Sequence, residues 1–205
     1  SPALWWPRRT GEPNLYQVEA RLVRNGEVYA RKNFRFGIRT VELKKTCLTD
    51  EDGNGEFCFR VNHRKIFILG TNWVPLDSLP SRGRERIDPS LELVTDLNCN
   101  MVRCWGGGYY EDNYFYDRCD ELGILIWQDF MEACGLYPEN REFLQSFEEE
   151  VTYQVRRLRQ HPCIALWSGD NENDSCYGWS TNYRLDPNQN LNTRAVIPQV
   201  LRMND

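Results

Sequence analysis

The chain has 205 residues, 40% of them hydrophobic and 27% charged, with a formal net charge of −5, which describes a globular protein of one large domain or two small ones. Its basic residues form no stripe, the one cluster being Arg156, Arg157 and Arg159 on the outer face of a predicted helix, so no nucleic-acid partner is expected. No apolar run reaches the roughly 18–20 residues of a membrane span, and "SPALWWPRR" is not a signal peptide. No membrane partner is expected, and the location reads as cytoplasmic, with the native N-terminus left open.

In chain order, "LYQVEARLV" and "EVYARKNFRFG" alternate apolar and polar residues around "RNG", a β-hairpin with one face buried. "FCFRVN" and "KIFIL" make a second pair around His63 and Arg64. From there strands and helices alternate. The first parallel strand is read at "IFILG", followed by a helix in "PSLELVTDLN" with Leu91, Val94 and Leu97 on one face. "NMVRCW" is the second strand, then the loop "GGGYYED". A helix through Phe115, Cys119 and Leu122 follows, capped by Gly123. "ILIW" is the third strand. A long helix through Phe143, Phe147, Val151, Val155 and Leu158 stops at Pro162, and "CIALW" is the fourth strand. A polar loop over "TNYRLDPNQNLN" leads to "AVIPQVL", the start of another helix. Four βα units make either half of an eight-stranded barrel or a small open sheet.

The eight cysteines are Cys47, Cys58, Cys99, Cys104, Cys119, Cys134, Cys163 and Cys176. None forms a C-x-x-C pair, and most sit in apolar runs, so they read as buried thiols. With only His63 and His161, no His-rich zinc site is expected.

Each predicted parallel strand ends in unusual residues: "GTNW", "RCWGGG", "WQDF" and "WSGDNEN". In a βα barrel these C-terminal ends build the active site, and they would bring together Asn72, Trp73, Arg103, Trp105, Asp129, Asn171 and Glu172. Indoles suit the apolar faces of a sugar ring, and carboxylates, amides and a guanidinium suit its hydroxyls. Taken singly, each has an ordinary reading: core tryptophan, structural ion pair, helix cap, polar loop. The functional reading comes from their co-location at four strand ends. No P-loop or G-x-S-x-G elbow competes.

The strings "GTNWVPLDSLPSR", "NMVRCWGGGYYEDNYFYDRCDELGILIWQDFMEACGLYP" and "HPCIALWSGDNEND" resemble β-mannosidases of glycoside hydrolase family 2 in order and spacing. The resemblance implies an α/β fold: the first four βα units of a (β/α)8 TIM barrel over 44–205, preceded over 1–43 by the last strands of an immunoglobulin-like β-sandwich. It implies a retaining exo-glycosidase that removes terminal β-linked mannose from carbohydrate substrates, with no cofactor and no metal. Glu172 matches the general acid/base and Asn171 the amide that meets the sugar 2-hydroxyl. Arg103 matches an arginine near the nucleophile, Trp73, Trp105 and Asp129 match sugar-pocket positions, and Trp179 lies near the pocket. The nucleophile is expected on the seventh strand, so the 205-residue chain by itself is expected to be inactive. Other family 2 sugars (glucosamine, galactose, glucuronic acid) and a non-catalytic carbohydrate-binding protein are the alternatives.

Three residues depart from the pattern. Asp170 places a carboxylate two residues before Glu172, where it acts on the acid or faces solvent. Glu132 replaces an aromatic residue of the expected sugar-binding wall. Tyr109 replaces an aliphatic residue, a change in packing.

Overall fold

A computed structural model describes residues 1–46, 51–52, 55–181 and 185–205, with the side chains of 179–181 outside the description. Asn25 and Gly26, both at positive φ (52° and 84°), make the two-residue reversal that suits right-twisted antiparallel strands. They join β1 (Tyr16–Arg24) to β2 (Glu27–Phe36), paired from Tyr16↔Phe36 to Arg24↔Glu27. The alternation predicted one buried face, yet Leu22, Val23, Val28 and Tyr29 stand exposed, because two strands alone supply no second layer to bury them. Arg35 ties the hairpin to the body of the chain through ion pairs with Asp117 and Glu121.

A second antiparallel sheet consists of β3 (Val41–Lys45), β4 (Phe57–Val61) and β5 (Arg64–Ile66). The run 65–70, read from sequence both as the second strand of a pair (65–69) and as the first parallel strand (66–70), divides at Ile66. The Asn100 side chain captures the rest of the run: its Oδ1 accepts the Leu69 N–H at 2.9 Å and its Nδ2 donates to the Phe67 carbonyl at 2.9 Å. The parallel sheet therefore starts at β6 (Gly70–Trp73), displaced from the predicted span.

β6 is followed by α1 (Pro80–Gly83), a single 3-10 turn, and α2 (Ile87–Asp96). Then come β7 (Met101–Cys104), α3 (Asn113–Leu122), β8 (Leu125–Asp129), α4 (Arg141–Leu158) and β9 (Ile164–Ser168). α5 (Asn173–Thr181) and α6 (Ile197–Asn204) complete the order. The strands lie in the order β6-β7-β8-β9, every pair parallel. Each new strand adds at the same edge, as in a barrel, whereas a doubly wound sheet reverses its order. These are four βα units of a TIM barrel.

The helices read from apolar spacing form where it places them, with one correction, and α1 and α5 form where only loop was expected. α2 buries Ile87, Leu91 and Val94, but it ends at Asp96 and leaves Leu97 exposed. Asp112 caps α3 by accepting the Phe115 N–H at 3.2 Å, and Gly123 closes it at φ 68°. Asn140 caps α4 through the Phe143 N–H at 2.9 Å. Phe147, Val151, Val155 and Leu158 are then buried, the first three in a cluster with Phe130, Ile197 and Val200.

Strand alternation sorts the sheet into two faces. Trp73, Cys104 and Gln128 are paired in register and buried against the helices. The row one residue earlier, Asn72, Arg103 and Trp127, faces the concave side, and Asp129 follows Trp127 there. The site is built on that face.

Candidate active site

Asp129 ends β8 with a carboxylate that has no exposed surface. Arg103, on neighbouring β7, meets it as a fork: Nε reaches Oδ1 at 3.2 Å and Nη2 reaches Oδ2 at 2.6 Å. The Trp127 indole N–H donates to Oδ1 at 2.9 Å and the Gly106 backbone N–H to Oδ2 at 3.0 Å. Four donors on two oxygens fix this carboxylate as an anion-shaped acceptor. Arg103 also stands over the Trp127 ring, its guanidinium carbon 5.5 Å from the centroid.

The same Nη2 donates to Asn171 Oδ1 at 2.9 Å. The Asn171 amide is thereby oriented, oxygen toward the arginine and Nδ2 toward the Cys134 sulfur at 3.3 Å. Its backbone is fixed as well. Asn171 N donates to the Glu132 carbonyl at 2.9 Å, and Cys134 N donates to the Asn171 carbonyl at 2.8 Å, a parallel bridge joining the loops after β8 and β9. Glu172 follows at φ 61°, a left-handed conformation rare for a residue with a Cβ. Such backbone persists where the surroundings over-determine it, and it concentrates at functional sites. Glu172 is exposed, with Oε2 3.5 Å from Cys134 Sγ.

The glycines of "WGGG" have specific reasons. A Cβ on Gly106 would lie 2.7 Å from the carbonyl oxygens of both Phe130 and Glu132, and one on Gly107 would lie 2.0 Å from the Trp105 ring. The six-membered ring of the half-buried Trp105 indole comes against Gly107 because nothing projects there.

The structure thus brings Arg103, Asp129, Asn171 and Glu172 into one connected cluster, with Trp105 on the adjoining loop. Trp73 does not join it. Its indole, 6% exposed, packs on Phe115 at 4.7 Å and donates to Glu111 at 2.9 Å. With β6 beginning at Gly70, Asn72 takes the concave side and Trp73 falls on the other. Burial pushes the Glu111 carboxyl up, against the indole hydrogen bond that draws it down. Trp179 falls in α5, and its side chain lies outside the described residues.

The three departures resolve locally. Asp170 neither touches Glu172 nor stands in open solvent. It is half-buried and accepts the first N–H of α5, from Asn173, at 3.0 Å, and burial raises its carboxyl. Tyr109 is a packing residue, its hydroxyl enclosed against Gly83. Glu132 is no part of an open wall: it is 1% exposed and points into the interior. Sequence reasoning missed Trp127, Cys134 and Asn173. For Trp127 the signal was available, two residues before Asp129 on the same strand face.

Seven described cysteines are free thiols. Cys104, Cys119 and Cys163 are buried, and burial pushes each well up, whereas Cys134 is exposed against the expectation; Cys47 lies outside the described residues. Asp117, Asp120 and His161 place potential ligand atoms within 4.8 Å of one another, at the opposite end of the strands. Both Asp120 oxygens are engaged, by His161 Nδ1 at 2.7 Å and Cys163 N at 2.9 Å, and Asp117 pairs with Arg35 at 3.4 Å. That cluster reads as a structural knot. No helix among the described residues is long and apolar enough to cross a membrane.

The family model described as glycosyl hydrolases family 2, TIM barrel domain, matches residues 55–196, and that described as glycosyl hydrolases family 2 matches residues 1–39. The chain belongs to glycosyl hydrolase family 2. Among curated family 2 relatives, the β-mannosidase B of Aspergillus fumigatus is 48% identical over 172 residues, covering 83% of this chain and 20% of the relative. The β-mannosidase of Capra hircus is 44% identical over 178 residues, 85% of this chain and 20% of the relative. A solved β-D-mannosidase from Dictyoglomus thermophilum superimposes with a TM-score of 0.89 at 39% identity, covering all of this chain and 25% of that one. The chain spans about a fifth of the length of the curated relatives it matches.

Proposed function

We propose that the protein carrying this chain is a retaining exo-glycosidase that removes terminal non-reducing β-D-mannose from β-mannosides. Residues 44–205 supply the acid/base side of its site, and residues 1–43 are the last strands of an immunoglobulin-like domain before the barrel. The observation that carries the reading is the Asn171–Glu172 pair at the end of β9, held beside the Arg103–Asp129 fork. It stands in a chain 44–48% identical to relatives named β-mannosidases.

In this mechanism Glu172 donates its proton to the glycosidic oxygen as the bond to the leaving group breaks. A second carboxylate, about 5–5.5 Å from the acid, attacks the anomeric carbon to form a glycosyl-enzyme. Glu172 then takes a proton from the water that displaces it. The resemblance assigns the second carboxylate to the seventh strand. Asn171, with Oδ1 committed to Arg103 and one Nδ2 hydrogen directed at Cys134 Sγ, keeps its second Nδ2 hydrogen for the sugar 2-hydroxyl, a contact that strengthens in the transition state. Asp129 holds Arg103, and Arg103 holds Asn171. Trp105 offers an indole face to the ring, and no organic cofactor or metal takes part.

The test is hydrolysis of an aryl β-mannoside by the full-length protein beside Glu172→Ala with azide. The variant is expected to stall at deglycosylation and to recover as β-mannosyl azide forms. Wild-type activity in the variant would reduce the strand-end pair to a polar loop. Turnover restricted to a different aryl glycoside would reassign the sugar.

A further inference from the structure

Buried carboxyls are matched by cations or by a full set of donors, and among the described residues Glu132 has neither. Its Oε2 accepts the Asn173 side-chain amide at 3.1 Å, while Oε1 is enclosed with no partner. The Asn192 side chain lies beside the carboxyl, and its Oδ1 is also enclosed without a partner, as is Thr193 Oγ1. The charged groups that face Glu132 are acidic: Asp170 from the loop after β9 and Glu150 from α4. The remaining titratable groups among the described residues are two hydroxyls, Tyr110 from the loop after β7 and Tyr177 from α5.

Glu132 also sits at a junction. Its backbone carbonyl accepts the Asn171 N–H at 2.9 Å. Its side chain holds Asn173, whose Oδ1 accepts the Gly135 N–H at 3.4 Å. The residue between these two anchors is Glu172, at φ 61°.

We propose that Glu132 is a positioning residue, a buried neutral carboxylic acid that latches both flanks of the left-handed turn carrying Glu172. The proposal rests on the assignment of Glu172 as the acid/base. A proton on Oε1 converts an acceptor without a donor into a donor, beside Asn192, whose Oδ1 is an acceptor in want of one. Burial, with Asp170 and Glu150 adding to it and the Asn192 and Asn173 side-chain amides drawing it back, pushes the carboxyl up to about 8. Above that pH an ionised Glu132 confronts Asp170 across the same turn, and the latch opens.

The test uses the full-length protein as wild type, Glu132→Gln and Glu132→Ala. Hydrogen exchange of the segments containing Cys134 and Asn171 is measured together with kcat and KM for an aryl β-mannoside between pH 5 and 9.5. Glu132→Ala is expected to lose protection at both amides and to lower kcat about 10²-fold, the scale of a misplaced catalytic group, with KM little changed. Glu132→Gln, neutral and nearly isosteric, is expected to restore both. Any alkaline limb that does not arise from Glu132 is common to wild type and Glu132→Gln. The wild type is therefore expected to fall more steeply above pH 8 and to lose protection there relative to Glu132→Gln. Superimposable alkaline behaviour of these two proteins overturns the proposal, and that comparison stands even if Glu132→Ala does not fold. If the wild type hydrolyses no aryl glycoside, the functional reading fails, and the exchange comparison still decides whether Glu132 latches the turn.

Discussion

Replacing Asp129 by Asn changes one atom and removes one charge, at a position where both are used. In the native site Oδ1 takes the Arg103 Nε and Trp127 Nε1 donors, and Oδ2 takes Arg103 Nη2 and the Gly106 N–H. Whichever way the new amide turns, its NH2 group faces two of these donors. Two donors lose their acceptor at about 1–3 kcal/mol each where they are buried. Arg103 keeps a quarter of its side chain exposed and recovers part of its loss through water, so the net cost falls near about 2–4 kcal/mol, below the roughly 3–5 for breaking a fully buried pair. The functional cost is larger than the structural one. Arg103 Nη2 orients Asn171, and without its carboxylate the guanidinium no longer holds that amide to a single rotamer. For Asp129→Asn we expect kcat/KM on an aryl β-mannoside to fall about 10²-fold or more and the melting temperature to drop. A double-mutant cycle with Arg103→Gln should give a coupling of about 1–3 kcal/mol. An Asp129→Asn protein with wild-type kcat/KM and melting temperature would refute this account, since an unpaired Arg103 could not then be holding Asn171.

The raised carboxyl of Glu132 also makes stability depend on pH. Its folded value of about 8 lies above that of an ordinary carboxyl, so the stability it contributes is complete at pH 4 and below and is lost as pH rises to about 8. The melting temperature of Glu132→Gln should therefore gain on the wild type across that window and stop gaining above it; a constant offset would show that Glu132 titrates normally. Gly107→Ala puts a Cβ at 2.0 Å from the Trp105 ring and must displace the indole. If Trp105 is the sugar platform, KM should rise about 10-fold, or about 1.4 kcal/mol, and an unchanged KM would remove Trp105 from the pocket. Gly106→Ala meets two backbone carbonyls at 2.7 Å, which cannot swing aside, so it should destabilise by about 1–3 kcal/mol, read from thermal melts. Iodoacetamide should alkylate Cys134 in the native protein before Cys104, Cys119 or Cys163, as mapped by peptide mass. Protection of Cys134 by a β-mannoside would place it at the site, and labelling of the buried thiols first would contradict the packing.

What the sequence determined by itself was local and periodic. The 3.6-residue spacing of Phe147, Val151, Val155 and Leu158 fixed a helix face, Asn25-Gly26 fixed a reversal, and Gly123 fixed a helix end, because each depends on backbone preferences and burial within a few residues. The polar ends of successive apolar strands announced where a barrel would place its site, and Asn171, Glu172, Arg103 and Asp129 were named from them. Two kinds of feature lay beyond that reach. The face taken by Trp73 depended on where β6 begins, and that was decided by the side chain of Asn100, about thirty residues downstream, which captures Phe67 and Leu69. A shift of one residue exchanges the two faces of a strand, so no reading of "GTNW" in isolation could tell platform from core. Glu132 likewise reads from sequence as a carboxylate on an open wall. Only the packing of α4, α5 and the 192–196 turn around it encloses the group, and only the bridge between two loops makes it a neighbour of Glu172. Charge, burial and hydrogen-bond supply are properties of a place, and the place is made by segments far apart along the chain.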